Sequence, residues 1–333
     1  MEAYTIDNYG KSHDLHRGEM PMPEVRDNDV LVKVHAASVN RLDTMIKNGE
    51  FKLILPYKMP LILGNDVAGV VAKVGGSVSK FKVGDEVYAH PDKDRIGAFA
   101  EFIAMDETDV ARKPKNLTME EAASIPLVGL TAWQSLVEIA HLREGQKVFI
   151  QAGSGGVGSI AIQLAAQMGA QVATTVSEKS FDMVKELGAD VVVNYRNEDF
   201  EEKLHDYDVV LHSQDLKTLQ KSLRVLKPGG RLISISGPPT PDFAEKIGAP
   251  RCVVPVMRLL SYKARRQAKK LGVGYEFLFM KADGNQLSKI TDLIEAGKIR
   301  PVIDKVFPFD QTNEAIEYVE SGRSKGKVVI SFK

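Results

Sequence analysis

Hydrophobic and polar positions follow a two-residue period early in the chain and a mixed strand–helix rhythm later. Val30-Leu31-Val32-Lys33-Val34-His35-Ala36 alternates, 67–74 is a second β-rich run ending in Gly75-Gly76, and 84–88 and 98–104 give further short strands. Up to about Pro114 this predicts a compact β-barrel with an irregular loop over 48–60. From about Glu120 the texture changes. Helices are expected over 120–124, 131–140, 159–168, 180–187 and 218–226, and strands over 147–150, 171–176, 191–193, 208–211 and 231–235. Such alternation implies a parallel, doubly wound sheet with ligands at the carboxyl ends of its strands. Gly237-Pro238-Pro239-Thr240-Pro241 then breaks the rhythm. The segment reaching about Gly274 contains a basic helix whose apolar positions Val256, Leu259, Leu260, Ala264, Ala268 and Leu271 are expected on one face. A strand over 275–280, a helix over 286–296, a strand over 301–307, a helix over 312–321 and a strand over 327–332 complete the chain.

Composition narrows the classes. The 333 residues suffice for two domains, and 44% hydrophobic with 26% charged residues is ordinary for a soluble globular protein. Lys plus Arg equals Asp plus Glu at 44 each, so no net field favours nucleic acid or an anionic membrane. The basic positions Arg258, Lys263, Arg265, Arg266, Lys269 and Lys270 read as a solvated helix face rather than a nucleic-acid surface. One cysteine, Cys252, allows no intramolecular disulfide and no multi-thiolate zinc site, and fits a reducing cytoplasm. No basic-then-apolar leader opens the sequence, and no apolar run approaches a membrane span. The expectation is a soluble cytoplasmic protein with no membrane partner.

The chemistry begins at Gly153-Ser154-Gly155-Gly156-Val157-Gly158, set between a buried strand and a helix. Glycines there let the backbone approach a pyrophosphate, and the helix N–H groups receive its charge. In that context the motif predicts a bound dinucleotide. An acid at the end of the next strand would hold the adenosine ribose hydroxyls of NAD. Ser177 stands in that place, with Lys179 two residues on, and this pair suits a 2′-phosphate. Tyr195, after the third strand, would cover the adenine or donate to the phosphate. The expected cofactor is NADPH. The competing reading is that Ser177 caps the following helix and Lys179 is merely solvated.

Eight ordered motifs then make the chain resemble the medium-chain dehydrogenase/reductase superfamily, in its zinc-independent quinone oxidoreductase and alkenal/enone reductase branch. They include Ser38-Val39-Asn40-Arg41-Leu42-Asp43, Gly64-Asn65-Asp66-Val67-Ala68-Gly69, Val83-Gly84-Asp85-Glu86-Val87, Gly129-Leu130-Thr131-Ala132-Trp133 and the glycine turn. Leu187-Gly188-Ala189-Asp190, Leu226-Lys227-Pro228-Gly229-Gly230 and Gly326-Lys327-Val328-Val329 continue the resemblance. It implies an α/β fold with a GroES-like β-barrel catalytic domain, residues 1–122 and 265–333, and a doubly wound Rossmann domain, 123–264. Zinc relatives bind metal through Cys, His and Cys. Here Asn40, Asn65-Asp66 and Leu127 fall at or near those slots, which gives no usable zinc site. Of the histidines, His13 and His16 lie close together without a ligand framework.

The resemblance also implies that Thr131 contacts the nicotinamide side, Gly155 to Gly158 the pyrophosphate, and Ser236 and Gly237 the nicotinamide. Phe277, Phe279 and Lys327 would complete the cofactor cleft, although the two phenylalanines equally suit ordinary strand core. Without a metal, hydride passes from the nicotinamide to an acceptor that is already electrophilic, a quinone or an enone. Asn40 is the first candidate donor to the developing oxyanion, against a structural amide tying a loop. Asp43 would orient a neighbour. Phe51 stands where many relatives have a tyrosine, so Tyr57 is the candidate hydroxyl, against simple packing. His212-Ser213-Gln214 departs from the family pattern, and His212 is a further candidate proton donor. The expected protein is an NADPH-dependent reductase of quinones or enones, acting as a homodimer. The rivals are an enoyl-thioester reductase and a non-catalytic NADPH-binding protein with sensing or RNA-binding duty.

Overall fold

The strand Asp29–Val39 is the spine of the first of two units. Its alternating valines, Val30, Val32 and Val34, point into a core with Val67, Val71, Phe99, Met105 and Ile330. In a computed structural model that describes residues 1–11, 14–52, 55–248, 250 and 252–332, this unit comprises Met1–Leu130 and Lys281–Lys333. His13 lies outside the described residues, as do the side chain of Lys246 and positions 53–54 of the expected loop.

The seven-stranded sheet runs Ile303–Pro308, Lys327–Ser331, Asp29–Val39, Val67–Val74, Glu86–Ala89, Val110–Arg112, with Phe102–Asp106 pairing onto Asp29–Val39. Register shifts between Leu31/Val32 and Val34/Ala36 bend the long strand, as extra residues in a ladder do. The expected strand over 98–104 starts only at Phe102. Ala98, Phe99 and Ala100 are instead buried beside Glu2–Ile6, where the Tyr4 amide donates to the Phe99 carbonyl at 2.9 Å. A small sheet of His16–Glu19, Glu2–Ile6 and Leu61–Ile62 went unpredicted because strands of two to five residues carry little periodicity.

The second unit, Thr131–Met280, is a six-stranded parallel sheet with helices between its strands. Its order is Val191–Asn194, Gln171–Val176, Lys147–Ile150, Tyr207–His212, Leu226–Ser234, Gly274–Phe277. The order reverses between the third and fourth of these, which is the doubly wound topology, and the glycine turn follows Lys147–Ile150 at that point. Buried Phe149 anchors the core, with ring centroids 5.0 Å from Phe200 and 6.3 Å from Tyr207.

Three sequence expectations change here. The return to the first unit, expected at residue 265, comes after Met280. Ala264, Ala268 and Val273 pack into the Phe149 core, and Gly274–Phe277 pairs with Leu226–Ser234, so this stretch belongs to the second sheet. The strand expected over 275–280 ends at Phe277, leaving Phe279 beyond it. The single basic helix is two helices, Val253–Leu260 and Tyr262–Leu271. Their buried positions are Met257, Ser261, Ala264 and Ala268, whereas Val256, Leu259 and Leu260 face outward.

Candidate active site

In the first unit the sequence gathers its candidates around one carboxylate. Asp66 is wholly buried just before Val67–Val74. Its Oδ2 receives Ser38 Oγ at 2.7 Å, Asn40 Nδ2 at 2.8 Å and Lys327 Nζ at 3.0 Å, and its Oδ1 receives the Leu127 amide at 2.7 Å. Lys327, the first residue of the strand Lys327–Ser331, also donates to Asn40 Oδ1 at 2.5 Å. Asn40 is therefore held at both ends of its amide. One N–H is committed to Asp66, and the other reaches only the Ser38 carbonyl at 3.5 Å, a weak contact.

Asp43 belongs to the adjoining shell. It sits in the first turn of the helix Arg41–Lys47, where its Oδ2 accepts the Asn40 amide at 2.7 Å and its Oδ1 accepts Asn65 Nδ2 at 2.6 Å. Burial raises its carboxyl to about 6, opposed by the hydrogen bonds from Asn65 and Asn40. The Asn65 carbonyl in turn accepts His90 Nδ1–H at 2.6 Å, and burial lowers the His90 pKa. The Tyr57 hydroxyl donates to the Lys93 carbonyl at 2.8 Å, and burial raises its pKa, so this phenol pins the loop it stands in.

Lys327, expected in the cofactor cleft, is a member of this cluster. Its side chain is only 6% exposed and serves Asp66 and Asn40. The same geometry bears on metal binding. An ammonium stands beside the first and second ligand slots, and the carboxylate there already accepts four hydrogen bonds. A zinc ion would meet a fixed cation and a neutral amide in place of thiolate and imidazole, so these residues do not fit the metal. Among the described residues no group of three His, Cys, Asp or Glu side chains could hold one.

In the second unit the three spaced glycines have separable jobs. A Cβ on Gly153 would come within 2.2 Å of Thr174 Oγ1, and one on Gly158 within 2.3 Å of the Ala152 carbonyl. These two permit strand–turn–helix contact. A Cβ on Gly155 would meet only the Ala152 carbonyl, at 3.3 Å, so that side of the turn is open. Gly155 is also the N-cap of Gly156–Gln167 and supplies no side-chain cap, leaving helix N–H groups for an anion. Ser154, Gly156 and Val157 are half-buried along the same turn. The turn is tied to the neighbouring strand by the Gly153 amide on the Thr175 carbonyl at 3.2 Å. An open backbone cradle at a helix start fits a pyrophosphate.

Beyond it, Gln171–Val176 and Val191–Asn194 pair in parallel with Val176 opposite Asn194. Their carboxyl ends lead into Ser177 and Lys179 on one strand and Tyr195 on the other, and the Tyr195 amide donates to the Val176 carbonyl at 3.3 Å. Ser177 stands at the N-cap of the short turn Glu178–Ser180 without a side-chain cap hydrogen bond, and Lys179 is exposed. Tyr195 is 58% exposed, with the Arg196 guanidinium 5.7 Å from its ring centroid. Arg196 was missed at the sequence level, although a cation immediately after Tyr195 is a readable signal.

At the other strand ends the predicted residues make contacts within the fold. The Gly237 amide donates to Ser234 Oγ at 2.7 Å, and Ser236 Oγ donates to the Gln214 carbonyl at 2.7 Å. His212 Nδ1 lies 2.9 Å from Ser234 Oγ and its Nε2 is 3.1 Å from the Asp215 carbonyl, which accepts from it. Burial pushes the imidazole down to about 4, so His212 is a neutral core residue with both nitrogens engaged, contrary to a proton-donor role. Phe277 and Phe279 pack on Phe243, with centroids 5.0 and 6.1 Å away. Thr131 is buried in the helix Pro126–Trp133, its carbonyl accepting Ser135 Oγ at 2.6 Å.

Comparison with known proteins agrees with both halves. Residues 26–115 match the family described as alcohol dehydrogenase GroES-like domain, and 187–330 match that described as zinc-binding dehydrogenase. The chain is 36% identical to the human mitochondrial NAD(P)H oxidoreductase RTN4IP1, over 99% of this chain and 89% of that one. It is 33% identical to the chloroplastic NADPH-dependent alkenal/one oxidoreductase of Arabidopsis thaliana, over 99% of this chain and 79% of that protein. Among solved structures, the quinone oxidoreductase from Coxiella burnetii superposes with a TM-score of 0.87 at 30% identity, covering 100% of this chain and 99% of that one. The chain thus belongs to the medium-chain dehydrogenase/reductase superfamily, in the branch of the quinone and alkenal/one oxidoreductases.

Proposed function

We propose that the protein is an NADPH-dependent reductase of quinones or α,β-unsaturated carbonyl compounds. The observation that carries this reading is the Lys327–Asp66–Asn40 cluster, which puts an internal ammonium where a metal-dependent relative needs ligands. Acceptors for such a protein must be reactive without a Lewis acid. A bound reduced nicotinamide supplies the hydride. The remaining work falls to the chain. The glycine turn binds the pyrophosphate, and Ser177, Lys179, Tyr195 and Arg196 distinguish a 2′-phosphate from a bare ribose.

Lys327 and Asp66 fix the Asn40 amide, and the N–H held only weakly by Ser38 is the one we assign to the acceptor oxygen. Asp43 acts as a positioning residue through its bond to the Asn40 backbone. Tyr57 holds its loop in place. A small-molecule acceptor is the partner in this reading. So is a second copy, joined through the outer edge of Gly274–Phe277, unpaired among the described residues. The single cysteine, free and exposed, suits a reducing compartment such as the cytoplasm.

The test follows the loss of reduced nicotinamide on addition of a panel of quinones and enones. Turnover is expected with NADPH preferred over NADH, unchanged by a metal chelator. Tight NADPH binding with no turnover on any acceptor would overturn the enzyme reading.

A further inference from the structure

We propose that the helix pair Val253–Leu260 and Tyr262–Leu271 docks the protein on an anionic lipid surface. The buried side of the pair, Met257, Ser261, Ala264 and Ala268, is fully used against its own unit. Yet the outward side is also apolar. Val256, Leu259, Leu260 and Tyr262 are 55%, 77%, 59% and 52% exposed, four of the ten large hydrophobics exposed anywhere among the described residues, within seven positions. A helix that is hydrophobic all round is normally enclosed. This one lies at the surface, so its outer side needs a partner.

Charge identifies the partner. Arg258, Lys263, Arg265, Arg266, Lys269 and Lys270 surround or follow the apolar ridge, and no Asp or Glu occurs between Glu245 and Glu276. None of the six has a carboxylate partner among the described residues. Arg265 bonds only Ser261 Oγ and the Arg258 carbonyl, at 3.0 Å each. In a chain of zero formal net charge this is a local concentration of positive charge. Apolar side chains at the level of the acyl chains, with long cationic side chains reaching the headgroups, match an interfacial helix on acidic lipid. A second copy docking through the same face would set these cations against themselves. A nucleic acid would use the cations but strand the apolar ridge in water. No helix of the described residues is long and apolar enough to cross a membrane, so the contact is peripheral.

Lipid binding stands independently of the proposed reductase activity. Only its use rests on that reading, since the most apolar quinones reside in bilayers. The full chain is sedimented with vesicles of phosphatidylcholine alone and of phosphatidylcholine mixed with phosphatidylglycerol. Binding is expected to the mixed vesicles only and to weaken with salt. It should fall about tenfold or more in Leu259→Ser/Leu260→Ser and, separately, in Lys269→Glu/Lys270→Glu. Melting temperature and turnover of a water-soluble quinone, measured on the same preparations, should match the parent. If turnover is absent but lipid binding is present, the reductase reading fails and this one stands. No binding to mixed vesicles overturns the proposal. So does binding that both variants retain, self-association abolished by the leucine variant, or RNA binding abolished by the charge variant alone.

Discussion

Lys327 Nζ lies 3.0 Å from Asp66 Oδ2 in a site where their side chains are 6% and 0% exposed. Two charges so enclosed hold each other in place. The pair costs desolvation to form, but losing one partner leaves the other charged and stranded. Lys327→Met should therefore lower stability by about 3–5 kcal/mol. The double variant Lys327→Met/Asp66→Asn should be appreciably more stable than Lys327→Met alone, because the unpaired charge is gone. Denaturant unfolding of the four proteins measures this coupling. Additive losses would show that the two side chains do not act as a pair.

The glycines of the turn should separate fold from ligand. Gly158→Ala sets a Cβ 2.3 Å from a backbone oxygen and 2.7 Å from the Gly153 Cα, neither of which can swing away. It should destabilise by about 1–3 kcal/mol, visible as a lower melting temperature. Gly155→Ala meets only one atom, at 3.3 Å, on the open side. That variant should melt near the parent yet bind NADPH about tenfold more weakly, because the methyl group occupies the approach to the cradle. Isothermal titration beside a melting curve tests both, and a Gly155→Ala variant that unfolds early would refute the assignment.

The 2′-phosphate is the next point. Lys179 and Arg196 are exposed cations that follow two paired strands. Lys179→Ala and Arg196→Ala should each raise the KM for NADPH about tenfold and leave the KM for NADH nearly unchanged. Steady-state kinetics with both cofactors decides the matter. Equal effects on the two would assign these residues to something other than the phosphate.

Legibility in the sequence followed the range of the interaction. The strands Val67–Val74, Lys147–Ile150 and Gln171–Val176 and the glycine turn were readable because each is specified by a few adjacent side chains. The bond between Lys327 and Asp66 joins residues 261 apart and leaves no local trace. The motif around Asn40 singles that residue out, but its commitment to two charged neighbours cannot be inferred from the motif. The Val253–Leu260 helix misled for a different reason. With apolar residues on both sides, periodicity could not say which side the core takes.

Asp43 should leave a signature in the pH dependence of stability. Its folded carboxyl titrates at about 6, above an unfolded value of about 3.9. Between those values the folded protein binds more protons than the unfolded chain. Stability contributed by protonated Asp43 is therefore full below about pH 4, and about 3 kcal/mol is lost as pH rises through about 6. His212 has the opposite sign. Driven down to about 4 from an ordinary value near 6.5, it favours the folded state increasingly as pH rises across that interval. Asp109, also raised to about 6 by burial, acts in the same direction as Asp43. The parent's own profile is thus a sum of opposing slopes, and a difference between proteins isolates one of them. Asp43→Asn removes the falling component while His212 and Asp109 contribute to both proteins. The stability of the parent minus that of Asp43→Asn, from urea unfolding at several pH values, should decline by about 2 kcal/mol from pH 4 to pH 6.5. A difference constant over that range would mean that Asp43 does not titrate where its burial places it.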